Sequence, residues 1–371
     1  MLPSDYQPER YEQLLTAKVM NILPAFEALG APEPQIVPSP SHSFRMRAEF
    51  RVWHEEHDLH FVMFERENPR TAIKIDTFPF GSQTIQTVLE PLRKLLQGNE
   101  ILRTKLFQAE FLTTLSGECL VTLIYHRKLD EDWIREASHI EQALNIKVIG
   151  RSRKQKVVLS DDWVTETLRV AGFSFVYKQP EQAFIQPNAE VNQHMLSWAF
   201  ENAQNTSKDL LELYCGIGNF TIPLSKRYQR VIATEVSKTA TRAAQDNLML
   251  NRITNVAFAR LAAEEVTDAL NGVREFRRLK SLDLPLSAYD IGAVFVDPPR
   301  AGLDSGTIHL CQKFNQILYI SCNPLTLIDN LKTISETHRV EALAFFDQFP
   351  YTPHLECGVS LIRRGPYEGT D

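Results

Sequence analysis

The chain has 371 residues, of which 43% are hydrophobic and 23% are charged, and its formal net charge is −6 at neutral pH. That length allows two or three domains with sizeable cores, and the composition is typical of a globular protein. No segment approaches the ~20 apolar residues of a membrane span, and residues 1–5 lack the basic and apolar regions of a secretory signal. The acidic balance counts weakly against nucleic-acid binding, although net charge averages over faces that differ locally.

The cysteines are few and widely spaced: Cys119, Cys215, Cys311, Cys322 and Cys357. Such spacing argues against a disulfide framework and predicts a reducing, cytoplasmic location. Nothing in the sequence indicates association with a membrane or an obligate protein partner.

The first 180 residues predict a mixed α+β region. Helices are expected at 5–29, 82–96 and 130–144, because charged and apolar positions interleave there. Two hairpins are expected from period-two alternation, one from 44–53 with 59–64 and one from 107–115 with 119–125. Further strand-like segments follow up to about Tyr177.

Residues 181–371 predict a second domain in which strands and helices alternate. Strands are expected at 209–214, 230–234, 254–259, 290–296 and 315–320, and helices at 188–204, 217–227, 237–251, 305–313 and 325–336. This alternation predicts an α/β fold with a doubly wound, mostly parallel sheet. Ligands of such sheets bind at the carboxyl ends of the strands.

A glycine-rich turn follows the first strand of that domain. The run Cys215-Gly216-Ile217-Gly218-Asn219 has two of the three glycines of a dinucleotide fingerprint. S-adenosylmethionine has no pyrophosphate, so this shorter turn suffices if an acid ends the next strand and binds the ribose hydroxyls. Glu235 stands there, 17 residues after Gly218. The turn therefore predicts a site for S-adenosylmethionine, and the alternative is a tight turn without a ligand.

An acid and a proline pair end another predicted strand, in the run Asp297-Pro298-Pro299-Arg300. The prolines stiffen the loop, because they fix the backbone and remove donors. Asp-Pro-Pro is also a signature of amino-group methyltransferases, in which an aromatic residue follows, whereas Arg300 follows here. An ordinary turn is the alternative.

Cys322 lies at the end of the strand predicted at 315–320, before Asn323-Pro324. A lone cysteine is most often a small buried hydrophobe. Two features favour a catalytic role for Cys322 instead. The strand end is on the cofactor side, and a carboxylate, Glu356, lies in the turn-rich segment 347–358. A thiolate and a base are what methylation at C5 of uracil requires: the thiolate adds to C6, and the base later removes the C5 proton.

Cations alternate with aromatic residues in the first hairpin. Arg45, Arg47 and Arg51 share one strand face, and further cation clusters lie at 151–156 and 274–280. Each cluster alone is an ordinary solvated surface, but three of them in an acidic protein favour a separate phosphate-binding face. Phe107 is a candidate to brace an opened RNA loop, with a core position as the alternative.

Together these motifs resemble the RNA 5-methyluridine methyltransferases, and within them the tRNA (uracil-5-)-methyltransferase branch. The resemblance covers nearly all of the chain. It rests on residues 44–51, 105–108, 186–188, 212–216, 296–300, 321–324 and 347–352.

The resemblance implies a C-terminal Rossmann-like S-adenosylmethionine-dependent methyltransferase domain and an N-terminal α+β RNA-binding domain. It implies Cys322 as the nucleophile and Glu356 as the proton acceptor. The substrate implied is uridine 54 in the T-loop of tRNA, in the T-arm, with the similar loop of transfer-messenger RNA as a second substrate. The positions that match cofactor-binding residues are Gln186, Tyr214, Asn219, Glu235 and Asp297.

Ribosomal-RNA relatives carry an iron–sulfur cluster on four N-terminal cysteines, and some have an extra leading domain. Here the first 200 residues contain only Cys119, so neither that cluster nor another metal is expected. No leading domain is expected either, and both features favour the tRNA branch. Two alternatives stay open: a ribosomal-RNA uridine-5-methyltransferase that lacks the cluster, and a tRNA-folding chaperone activity beside catalysis.

Overall fold

The structure is a computed structural model that describes residues 2–365 except 57, 66, 67, 69, 205, 206, 271, 274, 275 and 283. Arg274 of the third cation cluster therefore lies outside the described residues. The helices are α1 (Tyr11–Glu27), α2 (Gln83–Gln97), α3 (Glu100–Arg103), α4 (Glu131–Leu144), α5 (Ala189–Glu201), α6 (Thr221–Leu224), α7 (Lys238–Leu250), α8 (Ala263–Leu270), α9 (Ser305–Cys311) and α10 (Pro324–Ile334).

The strands form two large sheets and a separate hairpin. They are β1 (Gln35–Val37), β2 (Arg47–Glu55), β3 (Asp58–Phe64), β4 (Ala72–Lys74), β5 (Leu106–Thr113), β6 (Cys119–Tyr125), β7 (Lys147–Ser152), β8 (Gln155–Val158), β9 (Trp163–Val170), β10 (Phe173–Pro180), β11 (Asp209–Leu213), β12 (Val231–Thr234), β13 (Val256–Ala259), β14 (Ile291–Val296), β15 (Gln316–Ser321), β16 (His338–Phe346) and β17 (Glu356–Arg363).

The C-terminal sheet has the strand order β1-β16-β17-β15-β14-β11-β12-β13. Strands β11 to β15 pair in parallel, and β17 runs antiparallel between β15 and β16. The order reverses at β11, which has β12 on one side and β14 on the other. That reversal is the switch point at which doubly wound folds bind ligands. The predicted α/β class with a Rossmann-like domain is confirmed.

Helices of this sheet begin at capping residues that directly follow strands or their loops. Ser237, Asp304 and Asn323 each accept a hydrogen bond from a backbone N–H in the first turn of α7, α9 and α10. Such side chains satisfy donors that the helix leaves unpaired. Pro324 is the first residue of α10, a position that needs no N–H. The cap at Asn323 therefore fixes the chain immediately after Cys322.

The N-terminal sheet has the order β4-β3-β2-β5-β6-β7-β8. Both predicted hairpins are present, as β2 with β3 and as β5 with β6. Apolar side chains from one face pack against α2 and α4, with Phe50, Phe111 and Trp133 fully buried. The opposite face is covered in part, since Leu112, Leu120 and Ile149 pack there with Val164 of β9. Its exposed part carries Arg51 and is available for a ligand.

Segments far apart in sequence share the C-terminal core. The apolar side of α1 packs with β14, β15 and β17, and β1 pairs in parallel with β16. The hairpin β9–β10 packs against α5 and α7. Residues 11–37 thus belong to the C-terminal core, while the division of the chain at residue 180 stays a prediction.

Three local features differ in detail from the expectations. The helix expected at 217–227 is only the short α6, because Gly218 adopts a left-handed φ of 85° and keeps the glycine-rich turn out of the helix. The segment 347–358 is not all turn, since Glu356 is the first residue of β17. Helix α1 begins at Tyr11 rather than residue 5, after short 3-10 turns that start at Pro3 and Pro8.

Candidate active site

Cys322 and Glu356 lie beside each other at the carboxyl end of β15. The antiparallel register pairs Ser321 with Cys357, so the residue after β15 is opposite the residue that begins β17. Side chains opposite each other on paired strands lie within reach of contact. Cys322 is half-buried, whereas Glu356 is 3% exposed and its Oε2 has no hydrogen-bond partner among the described residues. A thiol and an unpaired carboxylate therefore share one site.

The loop after β14 is tied to the loop after β15. Asn323 Nδ2 donates a hydrogen bond of 3.0 Å to the carbonyl oxygen of Arg300, and the Thr326 hydroxyl donates one of 3.2 Å to the same atom. These contacts hold Arg300 and Asp297 next to Cys322. Sequence position alone does not place them there, because the two loops are more than twenty residues apart.

The charges around the Cys322 thiol shift its pKa in opposite directions. Burial, followed by the negative charges of Glu356 and Asp297, raises the pKa of Cys322 to about 11, while the charge and hydrogen bond of Arg300 lower it. Burial raises the pKa of Asp297 to about 7. Burial also raises the pKa of Glu356 well above its ordinary value, and the charge of Asp297 adds to that. Once ionised, Glu356 is a stronger base than an exposed carboxylate.

A cleft at the carboxyl end of β11 adjoins this cluster. Gln186, Tyr214, Asn219 and Asp297 all line it. Tyr214, Gly216 and Gly218 have left-handed φ values of 62°, 55° and 85°, and this backbone shapes the turn around the cleft. Asp297 borders both the cleft and Cys322, so a group bound in the cleft lies close to the thiol.

The polar side chains of the cleft fit S-adenosylmethionine. The Oε1 atoms of Gln186 and Gln179 are buried without a hydrogen-bond partner among the described residues, which leaves acceptors for the amino groups of a ligand. The carboxylate of Glu235 accepts hydrogen bonds from the backbone N–H groups of Gly216 at 3.1 Å and Ser237 at 2.8 Å. It stands at the edge of the turn, where a ribose would lie.

The chain matches the family model described as tRNA (Uracil-5-)-methyltransferase over residues 10–364. It is 51% identical over 359 residues to a tRNA/tmRNA (uracil-C(5))-methyltransferase of Pseudomonas entomophila, covering 97% of this chain and 99% of the relative. A protein of the same name from Acinetobacter baumannii is 51% identical over 354 residues, covering 95% of this chain and 98% of that one.

The chain belongs to the tRNA (uracil-5-)-methyltransferase family. The family and the enzyme class predicted from the sequence are thereby confirmed. A crystal structure of Pyrococcus abyssi tRNA (uracil-54, C5)-methyltransferase in complex with S-adenosyl-L-homocysteine has the same fold. It superposes with a TM-score of 0.71 at 22% identity and covers 95% of this chain and 83% of that chain.

None of the helices in the described part of the chain is both long and apolar enough to cross a membrane. No cluster of three or more His, Cys, Asp or Glu side chains within the described ranges is arranged to hold a metal ion.

The first two arginines of the predicted RNA face are engaged by the protein itself. Arg45 Nε donates to the carbonyl oxygen of Arg47, and Arg47 donates to the carbonyl oxygens of Glu181 and Ala183. Burial lowers the pKa of both, against the charges of nearby glutamates. Their contact with RNA stays a prediction, and in the structure Arg47 holds the segment that leads to Gln186 while Arg45 bonds the backbone of Arg47.

Arg51 and Phe107 meet on the open face of the N-terminal sheet. The register between β5 and β6 shifts between Leu106 and Gln108, so Phe107 is the extra residue of a bulge and turns away from the core. The guanidinium carbon of Arg51 lies 3.9 Å from the centre of the Phe107 ring, and His126 stacks on that ring at 4.1 Å. Arg51 is exposed, as a phosphate-binding cation must be.

Sequence reasoning missed several residues of the site. Asn192 exchanges two side-chain hydrogen bonds of 3.0 Å with Asn219, so the side chain of Asn219 is already paired. Glu212 is fully buried in β11, and burial followed by the charge of Asp297 raises its pKa to about 8. Gln348 bonds the backbone of Asn188 in both directions. An acid within an apolar strand was a usable signal for Glu212, and Gln348 lies in one of the segments that carry the resemblance, whereas no motif marks Asn192.

Proposed function

We propose that this protein transfers a methyl group from S-adenosylmethionine to C5 of uridine 54 in the T-loop of tRNA, and of the equivalent uridine in transfer-messenger RNA. The observation that carries the proposal is the pairing of β15 with β17, which brings Cys322 beside Glu356. Asp297 then joins this pair to the cleft that fits the cofactor. Methylation at C5 of uracil needs a thiolate, a base and a methyl donor in this relation.

Cys322 makes C5 nucleophilic in this mechanism. Its sulfur forms a bond to C6, and the electrons of the C5–C6 double bond move toward O4 to give an enolate. The thiolate must form first, and Arg300 supports it by charge and by a hydrogen bond. C5 would then accept the methyl group, whose bond to the positively charged sulfur of the donor breaks and leaves that sulfur as a neutral thioether.

Glu356 completes the reaction. Its carboxylate takes the proton from the methylated C5, the double bond to C6 forms again, and the sulfur of Cys322 leaves. The buried, unpartnered Oε2 of Glu356 is suited to this step, because burial raises its basicity and keeps water from competing for the proton.

The cofactor supplies an electrophilic methyl group on a positively charged sulfur. We assign its binding to Gln186, Tyr214, Asn219, Glu235 and Asp297, which surround or border one cleft. Gln186 Oε1 is free to accept a hydrogen bond, the left-handed backbone of Tyr214 shapes the turn, and Asn219 lines the cleft. Glu235 would exchange its bonds to backbone N–H groups in part for bonds to ribose hydroxyls.

The RNA must present an extrahelical base, because C6 of a stacked and paired uridine is out of reach of Cys322. Flipping costs a few kcal/mol, which phosphate contacts and stacking can offset. We assign such contacts to Arg51 and Phe107, with Arg45 and Arg47 as supports of the same face. Opening the loop in this way is compatible with a chaperone activity beside catalysis, and the cytoplasmic location stays a prediction.

The covalent step is tested with a T-arm hairpin that carries 5-fluorouridine at the target position. Fluorine at C5 cannot leave as a proton, so elimination stalls and the adduct should survive denaturing electrophoresis. Cys322→Ser should abolish the adduct while cofactor binding remains. Cys119→Ala is the matched control, since Cys119 lies in the N-terminal core and should not affect trapping.

Glu356→Gln tests the second half of the mechanism. With unmodified RNA this variant should accumulate a methylated adduct, because attack does not need the base and elimination does. Equal trapping by wild type and Cys322→Ser, or normal turnover of Glu356→Gln without an adduct, would contradict the assignment.

A further inference from the structure

The cation cluster at 151–156 divides into two parts in the structure. Arg151 and Lys156 bond to the buried carboxylate of Glu181, with nitrogen–oxygen distances of 2.6 Å and 3.1 Å. Arg153 and Lys154 form the turn between β7 and β8 instead, and both are exposed. They make no ion pair with any described residue, so their charges are available to a ligand.

These two cations form one wall of a groove of about 710 Å³. The other wall runs from Tyr125, the last residue of β6, to Lys128. The side chain of Gln155 ties the walls together, since it accepts from the Leu129 N–H at 2.9 Å and donates to the Leu129 carbonyl at 2.8 Å. The groove is therefore fixed by the fold rather than formed by loose side chains.

The lining of the groove is strongly basic. Its residues are Tyr125, His126, Arg127, Lys128, Ser152, Arg153, Lys154 and Gln155, and none of these lining residues in the described chain is acidic. Arg127 is held by three carbonyl oxygens and lies 3.8 Å from Asp130, whereas Lys128 is exposed and has no ion-pair partner among the described residues. In a protein of net charge −6, three unpaired cations in one groove mark a site for a polyanion.

The groove continues the surface that holds Arg51 and Phe107. His126 is both a lining residue and the partner stacked on Phe107, so the two surfaces meet without a break. The alignment of β6 with β7 puts the groove at the end of the sheet away from Arg47 and the catalytic domain. A ligand that spans both must be long and must carry phosphates along its length.

We propose that this groove binds the sugar–phosphate backbone of the substrate RNA outside the target loop, through Lys128, Arg153 and Lys154. The inference rests on the proposed function, because it takes the RNA at Arg51 and Phe107 as the same molecule. The contacts are to phosphates, so they add affinity and orientation rather than sequence recognition.

The test compares a groove variant with a matched charge-removal control. The groove variant is Lys128→Ala with Arg153→Ala, which removes two of the three unpaired cations and keeps Lys154. The control is Lys226→Ala with Lys332→Ala. Both control lysines are exposed and neither lines the groove: Lys226 follows α6, and Lys332, which pairs with Asp329 at 2.7 Å, lies in the last turn of α10.

Binding of a full-length tRNA transcript is measured by filter retention over a range of salt concentrations. Affinity falls as salt rises, and this fall should be less steep in the groove variant, by about two in the slope of log affinity against log salt, because each lost phosphate contact removes about 0.9. At moderate salt the variant should bind roughly ten-fold more weakly. The control should match the wild type, and S-adenosylmethionine affinity should be the same in all three.

The possible results separate the groove proposal from the proposed methyltransferase function. An unchanged slope in the groove variant, or an equal fall in the control, would overturn the groove as an RNA site while leaving the catalytic assignment intact. Failure of the wild-type protein to form the 5-fluorouridine adduct would instead count against the proposed function, and that measurement does not depend on the groove.

Discussion

Replacing Arg300 by glutamine should make Cys322 less reactive in the free protein. Burial and the negative charges of Glu356 and Asp297 raise the pKa of the thiol, and the guanidinium of Arg300 opposes them by charge and by a hydrogen bond. Arg300→Gln keeps the approximate size of the side chain and removes the charge. The thiolate then loses its stabilising partner.

The size of the effect follows from the exposure of Arg300. A hydrogen bond to a charged group contributes about 1.5 kcal/mol at the weak end of its range, which suits a cation that water screens. That energy equals about one pKa unit. Because the pKa of Cys322 is already about 11, the thiolate is a minor species at neutral pH and its fraction falls about ten-fold for each unit of increase.

The rate of alkylation by iodoacetamide measures the thiolate fraction of Cys322, because the thiolate is the reacting species. The modified Cys322 peptide is followed by mass spectrometry between about pH 7 and 9, and the other four cysteines are buried. The wild-type rate should rise about ten-fold per pH unit without a plateau, and the rate for Arg300→Gln should be about ten-fold lower throughout. Arg300→Lys should recover most of the loss.

Two results would refute the reasoning about this charge. A wild-type rate that levels off below about pH 8.5 would show that Cys322 has an ordinary or lowered pKa. An unchanged rate in Arg300→Gln would show that Arg300 does not act on the thiol. The experiment uses no RNA, so a separate contact of Arg300 with the substrate does not affect it.

Three further variants test the remaining assignments. Glu235→Ala should weaken S-adenosylmethionine binding by about one to two decades in calorimetry, because a carboxylate bond to ribose hydroxyls is charge-assisted, and unchanged affinity would remove Glu235 from the site. Arg51→Ala should make the fall of T-arm affinity with salt less steep, by about one in the slope of log affinity against log salt, whereas Arg339→Ala, also exposed, should leave it unchanged. Lys18→Met should lower the free energy of unfolding by about 3–5 kcal/mol in denaturant titrations, because it leaves Asp347 buried without its partner at 2.7 Å, and a loss below about 1 kcal/mol would contradict this.

The alternation of strands and helices between residues 209 and 334 was predictable, because local signals mark each boundary. Apolar segments give the strands, and caps such as Ser237 and Asn323 follow them directly. The carboxyl ends of parallel strands lie on one edge, so the glycine-rich turn, Asp297 and Cys322 could be brought together from sequence alone. The structure confirms that fold.

The parts that could not be predicted depend on long-range pairing. A helix was expected at 5–29, but the place of α1 in the C-terminal core rests on contacts with residues such as Asp347, 329 positions from Lys18. The face of Arg45 and Arg47 followed from period two, yet its contact with Glu181 and Ala183 did not. The bulge that turns Phe107 outward depends on its register with β6, which no local pattern specifies.

The clustering of buried acids gives an independent physical argument that this end of the sheet is a functional site. Glu212 and Glu356 are buried and Asp297 is half-buried, all three with raised pKa values, and Arg300 is a cation that acts on both Cys322 and Glu356. An acid whose pKa is raised on folding holds its proton longer in the folded state than in the unfolded chain. Stability from these groups is therefore present below the unfolded pKa of about 4 and is lost as the pH rises through their folded values, about 7 for Asp297 and about 8 for Glu212.

Apolar side chains of similar size would avoid that loss, so the arrangement opposes stability at neutral pH. These acids lower stability at neutral pH, yet they lie beside a thiol and a cofactor cleft. The proton transfer and the cationic cofactor of the proposed reaction explain their position.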